Sequence, residues 1–430
     1  MLHPCSTLTP PVEKMFVPCC GQPAYYMWPQ QTLPNFWTRP MPTVASTLPA
    51  PAKPCPMHDK TYKKDQDKLK RTSSAPKPVS GKKKLNSTTK TPGSSDSSEP
   101  KSNFVAVTQL EDEQAIRAVE FHPSGKFYAV GSNTKTLRIC AYPNCTDIRP
   151  DHEPREPTVL YKRQKHHKGS IYCMAWNATG DLLATGSNDK TVKLMKFSPA
   201  TCQLEDIAHP LTMHGGTVRD MCFMEDISNR SNILISGGSG DNKIYITDCE
   251  TAMPFQSLTG HTGQILSLYT WGGVMFVSSS QDKTIRFWDM RSRGCVNLIP
   301  ARPSGGTGPG SAAAAVSVDP SGRLLVSGHE DASCMLYDMK GSRILQTFKP
   351  HTADVRTARL SPKAFYLLTG SYDCKLMLTD LQGDLTQTLA TVCVAEHSDK
   401  VIQGRWHPHE FTFLSTSADK MATLWALPAT

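Results

Sequence analysis

Among the 14 cysteines of this 430-residue chain there is no C-x-x-C pair, and their spacing is irregular. That absence removes the usual zinc and dithiol arrangements. Disulfide frameworks belong to short secreted chains. This chain is long, and its first residues show no basic segment followed by an apolar run, as a secretory leader would. No stretch approaches the roughly 18 apolar residues that a membrane span needs. A G-x-x-x-x-G-K-[ST] phosphate loop is missing too: the glycine-rich PSGGTGPGS (303–311) has no lysine at the required place and reads as a flexible loop. His166–His167 and His407-Pro-His409 stand without cysteine or carboxylate partners at zinc spacing. These absences point to a reducing, soluble, intracellular protein without metal or cofactor, with the sequons at Asn86, Asn144 and Asn177 silent. Cys173, Cys222, Cys334 and Cys374 fall in apolar strand-like runs, where cysteine acts as a small buried hydrophobe.

Charge is unbalanced in one region only. Residues 1–103 carry 15 Lys or Arg against 6 Asp or Glu, which accounts for the whole formal net charge of +9. Residues 1–57 are dense in proline, which breaks any helical or strand period, and lysines dominate from Lys60 to Lys90. Such a segment cannot bury enough apolar surface to offset the entropy of ordering, so it is read as disordered. Three roles fit it: a solvated spacer, an electrostatic arm for a polyanion such as a microtubule surface or nucleic acid, or a nuclear-import signal at 60–71 and 82–84. The aromatic run YYMWPQQTLPNFW (25–37) is a candidate short motif that orders on a partner.

From residue 104 a repeat appears. Seven segments align, beginning at 115, 167, 214, 261, 314, 351 and 397. Each has a short alternating strand, a turn, a second strand and a third strand, and in all but the first the second strand ends before a turn aspartate. Five of the seven open on a histidine; the first begins at Ala115, and the fifth has lost its leading histidine. The turn aspartates Asp189, Asp241, Asp282, Asp331, Asp373 and Asp419 lie 41 to 52 residues apart. No such unit can bury both faces alone, so the units must stack, and radial stacking is the economical closure. The last repeat ends after its third strand. The unassigned β-like run FVAVTQL (104–110) is therefore expected beside 421–427, closing the ring and hiding two edges. The division is a tail at 1–103 and one domain at 104–430.

The recurring polar set is His261, Ser278, Asp282 and Trp288 in the fourth repeat, and His397, Ser415, Asp419 and Trp425 in the seventh. Ser, His and Asp together bring a hydrolase triad to mind. A nucleophile is needed once, however, and this set recurs, in part, at His167/Thr185/Asp189 and His351/Thr369/Asp373. It reads as a buried hydrogen-bond chain tying loop to turn. No catalytic residue is assigned. Two position sets should share the face that carries these loops. One follows the first strand's leading aliphatic: Arg117, Tyr172, Arg219, Leu266, Arg356 and Ile402. The other precedes the turn aspartate: Asn188, Gln281, Glu330, Tyr372 and Ala418. Arg and Tyr are enriched at interaction hot spots, so Arg117, Tyr172, Arg219, Arg356 and Tyr372 form the candidate partner surface.

The texture IRFWD (285–289), with S-x-D-K-T in two repeats, resembles the WD-repeat family over about three quarters of the chain. The resemblance implies an all-β, seven-bladed β-propeller behind the tail. QLEDEQAIRAVEFHPSGKFYAVGSNTKTLRICAYP (109–143) and the second repeat resemble, within it, the C-terminal propellers of nemitin-type microtubule-associated WD-repeat proteins. That implies a cytoplasmic, non-catalytic scaffold acting with microtubules or microtubule-associated proteins, in neurons and cilia. It implies no small-molecule substrate. Full-length members begin with LisH and CTLH helices; residues 1–103 show no amphipathic helical pair, so the chain looks like a short form or fragment and dimerisation does not carry over. The alternative is a nuclear scaffold whose basic tail contacts nucleic acid or directs import.

Overall fold

The computed structural model describes residues 104–225, 232–292, 294–301 and 310–428. The reading of residues 1–103 as disordered, and most of the 303–311 loop, fall outside the described residues.

Short runs of alternating apolar residues, broken by Gly, Asn, Asp and Ser, give antiparallel strands joined by tight turns. After β1 (Val105–Glu111) the strands group in fours. Blade 1 is β2 (Ile116–Phe121), β3 (Phe127–Ser132), β4 (Leu137–Ala141) and β5 (Val159–Arg163). Blade 2 is β6 (Ile171–Trp176), β7 (Leu182–Ser187), β8 (Val192–Ser198) and β9 (Gln203–Asp206). Blade 3 is β10 (Val218–Glu225), β11 (Asn232–Gly238), β12 (Ile244–Asp248) and β13 (Met253–Leu258). Blade 4 is β14 (Ile265–Thr270), β15 (Met275–Ser280), β16 (Thr284–Asp289) and β17 (Cys295–Pro300). Blade 5 is β18 (Ala313–Val318), β19 (Leu324–His329), β20 (Cys334–Asp338) and β21 (Arg343–Phe348). Blade 6 is β22 (Val355–Leu360), β23 (Tyr366–Ser371), β24 (Lys375–Asp380) and β25 (Thr391–Glu396).

The seventh sheet draws on both ends of the described chain: β26 (Val401–Trp406), β27 (Thr412–Ser417), β28 (Met421–Ala426), then β1 outermost. β1 runs antiparallel to β28, with Val105 opposite Ala426 and Glu111 opposite Met421. Two strand edges cover each other, and the ring closes. The architecture is an all-β, seven-bladed propeller.

The apolar core is divided among the seven blade junctions. At the first, Ala118, Leu137 and Ile139 of blade 1 meet Ile171, Met174 and Trp176 of blade 2. At the closure, Val107, Leu110 and Leu424 of blade 7 meet Ile116, Val119 and Phe121 of blade 1. Burying each large aliphatic side chain contributes about 1.5–3 kcal/mol, so most of the stabilisation lies between sheets rather than within them. Close approach there depends on glycine. A Cβ at Gly131 would come within 2.6 Å of Ile171, and one at Gly328 within 2.5 Å of Val355.

The turn from second to third strand places one residue in the left-handed region, as at Lys190 (φ 72°), Lys283 (φ 65°), Cys374 (φ 71°) and Lys420 (φ 74°). Cys374 is thus corrected from strand interior to turn: it precedes β24 and is only partly buried. Cys173 and Cys334 are buried within β6 and β20.

Each blade repeats one irregularity. Where the first strand pairs with the second, the register skips one residue. The skipped residues are Arg117, Tyr172, Arg219, Leu266, Ala314, Arg356 and Ile402. A bulge of this kind re-aims the extra side chain out of the ladder.

Candidate functional site

All seven bulge residues line one cavity, of about 100 Å³, at a mouth of the axial channel. The ring reads Arg, Tyr, Arg over blades 1 to 3, Leu and Ala over blades 4 and 5, then Arg and Ile. Its basic side chains are ordered by aromatic rings. Arg117 lies 4.7 Å and Arg219 5.3 Å from the centroid of Tyr172. Across the ring, Arg356 lies 5.3 Å and Lys400 5.2 Å from the centroid of Tyr372. Such contacts contribute about 0.5–2 kcal/mol each and hold a cation in place without neutralising it.

Neutralisation at the mouth is incomplete. Arg356 pairs with Glu330 at 3.6 Å. Arg117 donates from Nε to Asn133 Oδ1 at 2.7 Å, and Arg219 from Nη2 to Gln264 at 3.5 Å, both uncharged acceptors. The Nε of Arg219 is buried with no hydrogen-bond partner among the described residues. Asp220, the nearby carboxylate, is committed to blade 4, accepting from Ser267 Oγ at 3.0 Å and Leu268 N at 2.8 Å. Deeper in the channel, Arg405 is paired with Glu120 at 2.6 Å. Arg359 donates to the Val316 carbonyl at 2.9 Å and lies 5.4 Å from the Tyr269 centroid. Burial pulls the Arg359 pKa down, and the nearby Arg405 charge adds to the effect. The five residues singled out by sequence, Arg117, Tyr172, Arg219, Arg356 and Tyr372, are therefore together at one mouth. Asn188, Gln281 and Ala418 are not among its lining residues.

The polar sets form separate, buried chains. In blade 4 the Trp288 indole N–H donates to Ser278 Oγ at 2.8 Å. Ser278 lies 2.7 Å from His261 Nε2, and His261 Nδ1 lies 2.8 Å from Asp282. Blade 7 repeats this with Trp425 to Ser415 at 2.7 Å, Ser415 to His397 at 2.7 Å and His397 to Asp419 at 2.9 Å. Burial holds His261 below its ordinary pKa despite its aspartate partner. A neutral ring then donates through Nδ1 and accepts the serine proton at Nε2, so every member is satisfied. Asp282 is also dominated by burial, which pushes it up, but hydrogen bonds from Thr284 and His261 together outweigh that and hold it low. The carboxylate also serves the backbone: Thr262 N donates to Oδ2, the oxygen that His261 contacts, at 3.0 Å, and Thr284 N to Oδ1 at 2.9 Å. Ser278 is completely buried and already engaged on both sides. A substrate cannot reach it. The chain clamps a loop to a turn.

Blades 2 and 6 use threonine. His167 lies 2.9 Å from Thr185 and 3.2 Å from Asp189; His351 lies 2.9 Å from Thr369 and 3.0 Å from Asp373. Three blades depart from the pattern. In blade 3, His214 reaches Ser236 at 2.9 Å, but Asp241 sits in a turn one residue longer and accepts from Tyr245 at 2.6 Å instead. His214 Nδ1 is left without a partner among the described residues, and burial lowers its pKa to about 4. In blade 5 the missing loop histidine is replaced from the strand: His329 lies 2.8 Å from Ser327. In blade 1 a buried Asp112–Arg138 ion pair, joined by Thr134, occupies the corresponding place. Nothing in the sequence repeat marks these last two. A second set of ties lies on the other side of the ring, where His122 Nε2 meets the Gly180 carbonyl at 2.9 Å and His407 Nε2 meets that of Gly125 at 3.0 Å. His407 is therefore an inter-blade latch. Among the described residues no group of three or more His, Cys, Asp or Glu could hold a metal ion. No helix among them is long and apolar enough to cross a membrane.

A larger cavity, about 640 Å³, opens between blades 7 and 1 and is lined by charged groups of both signs around Asp112 and Arg138. Asp112 and Arg138 pair with each other there, and the remaining charges are of mixed sign.

A ring of seven four-stranded blades with recurring loop histidines and turn aspartates defines the class: the chain is a WD40-repeat β-propeller. Residues 105–140, 158–195, 253–289, 306–338 and 342–380 match the family described as WD40: WD domain, G-beta repeat. Similar proteins include protein tipD of Dictyostelium discoideum, 27% identical over 63% of this chain and 42% of its own length. Autophagy-related protein 16 of Arabidopsis thaliana is 23% identical over 63% of this chain and 50% of its own. Nuclear distribution protein PAC1 of Coccidioides posadasii is 25% identical over 61% and 58% respectively. The chain thus spans about half the length of the curated relatives it matches.

Proposed function

We propose that this chain is a non-catalytic protein-interaction scaffold associated with the microtubule cytoskeleton, which engages partner proteins at the bulge-residue mouth. The observation that carries the reading is the convergence of Arg117, Tyr172, Arg219, Arg356 and Tyr372 on one opening. Large ordered cations and aromatic rings on a rigid base are what interaction hot spots are made of. A cavity of about 100 Å³ is too small for a drug-sized ligand, which needs roughly 300 Å³ or more, but it accepts one side chain of a docked partner. The cytoskeletal part of the reading is supported by the resemblance of residues 109–143 and the second blade to nemitin-type microtubule-associated proteins. The partners are then microtubules or microtubule-associated proteins in the cytoplasm. The basic residues 60–90 add attraction that weakens with salt.

Microtubule co-sedimentation of residues 1–430 and 104–430 across a salt series tests this. Pelleting of the full chain alone at low salt makes the basic segment the contact and leaves the mouth to recruit other proteins. Equal pelleting makes the propeller the reader of the microtubule. If neither pellets and the protein is nuclear in cells, the scaffold is a nuclear one and the cytoskeletal reading falls.

A further inference from the structure

We infer that the mouth takes an acidic peptide segment of a partner protein, with carboxylates seated on Arg117 and Arg219 and a neighbouring aliphatic side chain on Leu266. The inference rests on the reading of this mouth as the partner surface and specifies the chemistry of what binds there.

Three observations carry it. First, the two guanidinium groups are both held against one ring, Tyr172, at 4.7 and 5.3 Å from its centroid. Their orientation is fixed before any partner arrives, which lowers the entropy lost on binding. Second, they are short of anions. Among the described residues neither has a carboxylate at ion-pair distance, and their acceptors are the amide oxygens of Asn133 and Gln264. Arg219 Nε is buried and unpartnered. An unpaired buried donor on a cation is costly. This chain leaves the guanidinium un-neutralised, and a partner carboxylate docked on it would supply the charge-assisted bonds that no carboxylate of the described residues provides. Third, the ring is asymmetric. The basic arc over blades 1 to 3 adjoins the apolar Leu266 and Ala314 of blades 4 and 5. A run of acidic residues alone would leave that arc dry and unused, whereas an acidic residue beside an aliphatic one covers both. The nearby acids do not cancel the arc: Asp220 is committed to Ser267 and Leu268, and Glu330 to Arg356.

The test is selection of random 12-residue peptides displayed on phage against the immobilised full chain, repeated with three variants. The expected result is enrichment of Asp or Glu next to Leu, Ile or Val on the wild type. Enrichment should be lost with Arg117→Ala/Arg219→Ala and kept when Lys82, Lys83 and Lys84 are changed to Gln. A synthetic peptide from the selection should bind at least tenfold more weakly to the arginine variant, and its Glu→Gln version should bind the wild type at least tenfold more weakly. Circular dichroism and the melting temperature establish that the variant is folded; if it is not, Arg219→Lys, which keeps the charge and loses the fork, should still reduce affinity several-fold. Selection of neutral or basic peptides, or acidic enrichment that survives the arginine changes and disappears with the lysine changes, overturns the proposal. So does a phosphoserine peptide that binds the arginines where its glutamate counterpart does not. Acidic selection without microtubule pelleting overturns only the cytoskeletal reading. Pelleting that needs Arg219, without acidic selection, overturns only this inference.

Discussion

Arg117 of blade 1 lies 4.7 Å from the ring centroid of Tyr172 in blade 2. The two are equivalent residues, each the extra residue of the bulge in its blade's first strand. The repeat therefore puts the same backbone irregularity beside itself around the ring, and the side chains that it aims at the axis become neighbours although the sequence separates them by a whole blade. Rigidity comes from the ladders on either side, and chemistry comes from the one residue per blade that the ladder does not use.

The first prediction tests that coupling without needing a partner. A double-mutant cycle on Arg117→Ala and Tyr172→Ala, read by urea denaturation, should show an interaction of about 0.5–1 kcal/mol. Tyr172→Phe keeps the ring and should retain it. Strictly additive losses would mean that the contact contributes nothing to the ordering of the guanidinium.

Ser278 holds two other groups, the Trp288 indole and the His261 ring, at 2.8 and 2.7 Å. Ser278→Ala leaves a buried donor and a buried acceptor unpaired, at about 1–3 kcal/mol for each group. The expected loss is therefore several kcal/mol in the urea midpoint analysis. Ser278→Thr should lose far less, because blades 2 and 6 place Thr185 and Thr369 at the same point against their histidines. A catalytic serine would behave differently: an activity would vanish while the melting temperature stayed put.

What the sequence made legible follows from how repetition works. Strand positions, ring closure and the histidine chains of blades 2, 4, 6 and 7 recur at fixed spacing, so each repeat corroborates the next. Asp112–Arg138 and His329–Ser327 fill the equivalent sites with different residues drawn from different elements, and a pattern search has nothing to align. The bulge escaped for another reason. In I-R-A at 116–118 the alternation looks ordinary, and only pairing with Gly131 and Ser132 shows that one residue is extra. Arg359 and Arg405 sit at polar positions of their strands, where nothing in the repeat singles them out. In an innermost strand that face is the channel, which no single-strand periodicity can reveal.

Acid should unfold the ring in two stages. His214 is buried, and burial lowers its pKa from 6.5 to about 4. Between those values the unfolded chain binds a proton that the folded chain does not, so stability is full above pH 6.5 and falls as the pH drops toward 4. At 1.4 kcal/mol per unit the contribution is on the order of 3 kcal/mol at the bottom of that window. Burial depresses His261 and His351 as well, so they add in the same direction. Below about pH 4 the turn carboxylates Asp282, Asp373 and Asp419, themselves held low, begin to bind protons in the unfolded state first, and stability falls further. His214→Gln should make the dependence between pH 6.5 and 4 less steep, leaving the share of His261, His351 and His166, which burial also holds low, and the steeper loss below it. An unchanged slope in that variant would locate the acid sensitivity elsewhere.

Gly328 offers a test of where the stabilising contacts lie. It sits in β19 with its Cα facing blade 6, and a Cβ there would fall 2.5 Å from Val355 Cγ1 and 3.6 Å from Ala358. Val355 is fully buried and begins the first strand of the next blade. Neither neighbour is a flexible chain end, so the added methyl must push blades 5 and 6 apart or force Val355 off its rotamer. Overpacking of this kind costs typically about 1–3 kcal/mol. Gly328→Ala should therefore lower stability by that amount, although alanine suits a strand better than glycine does. Val355→Ala alone should also destabilise, by removing buried methyl groups. Combined, the two substitutions should cost less than their sum, because the second clears the space the first requires. If the losses simply add, the junction is not packed as tightly as the 2.5 Å approach requires, and the seven inter-blade cores would have to contribute less to stability than the sheets they join.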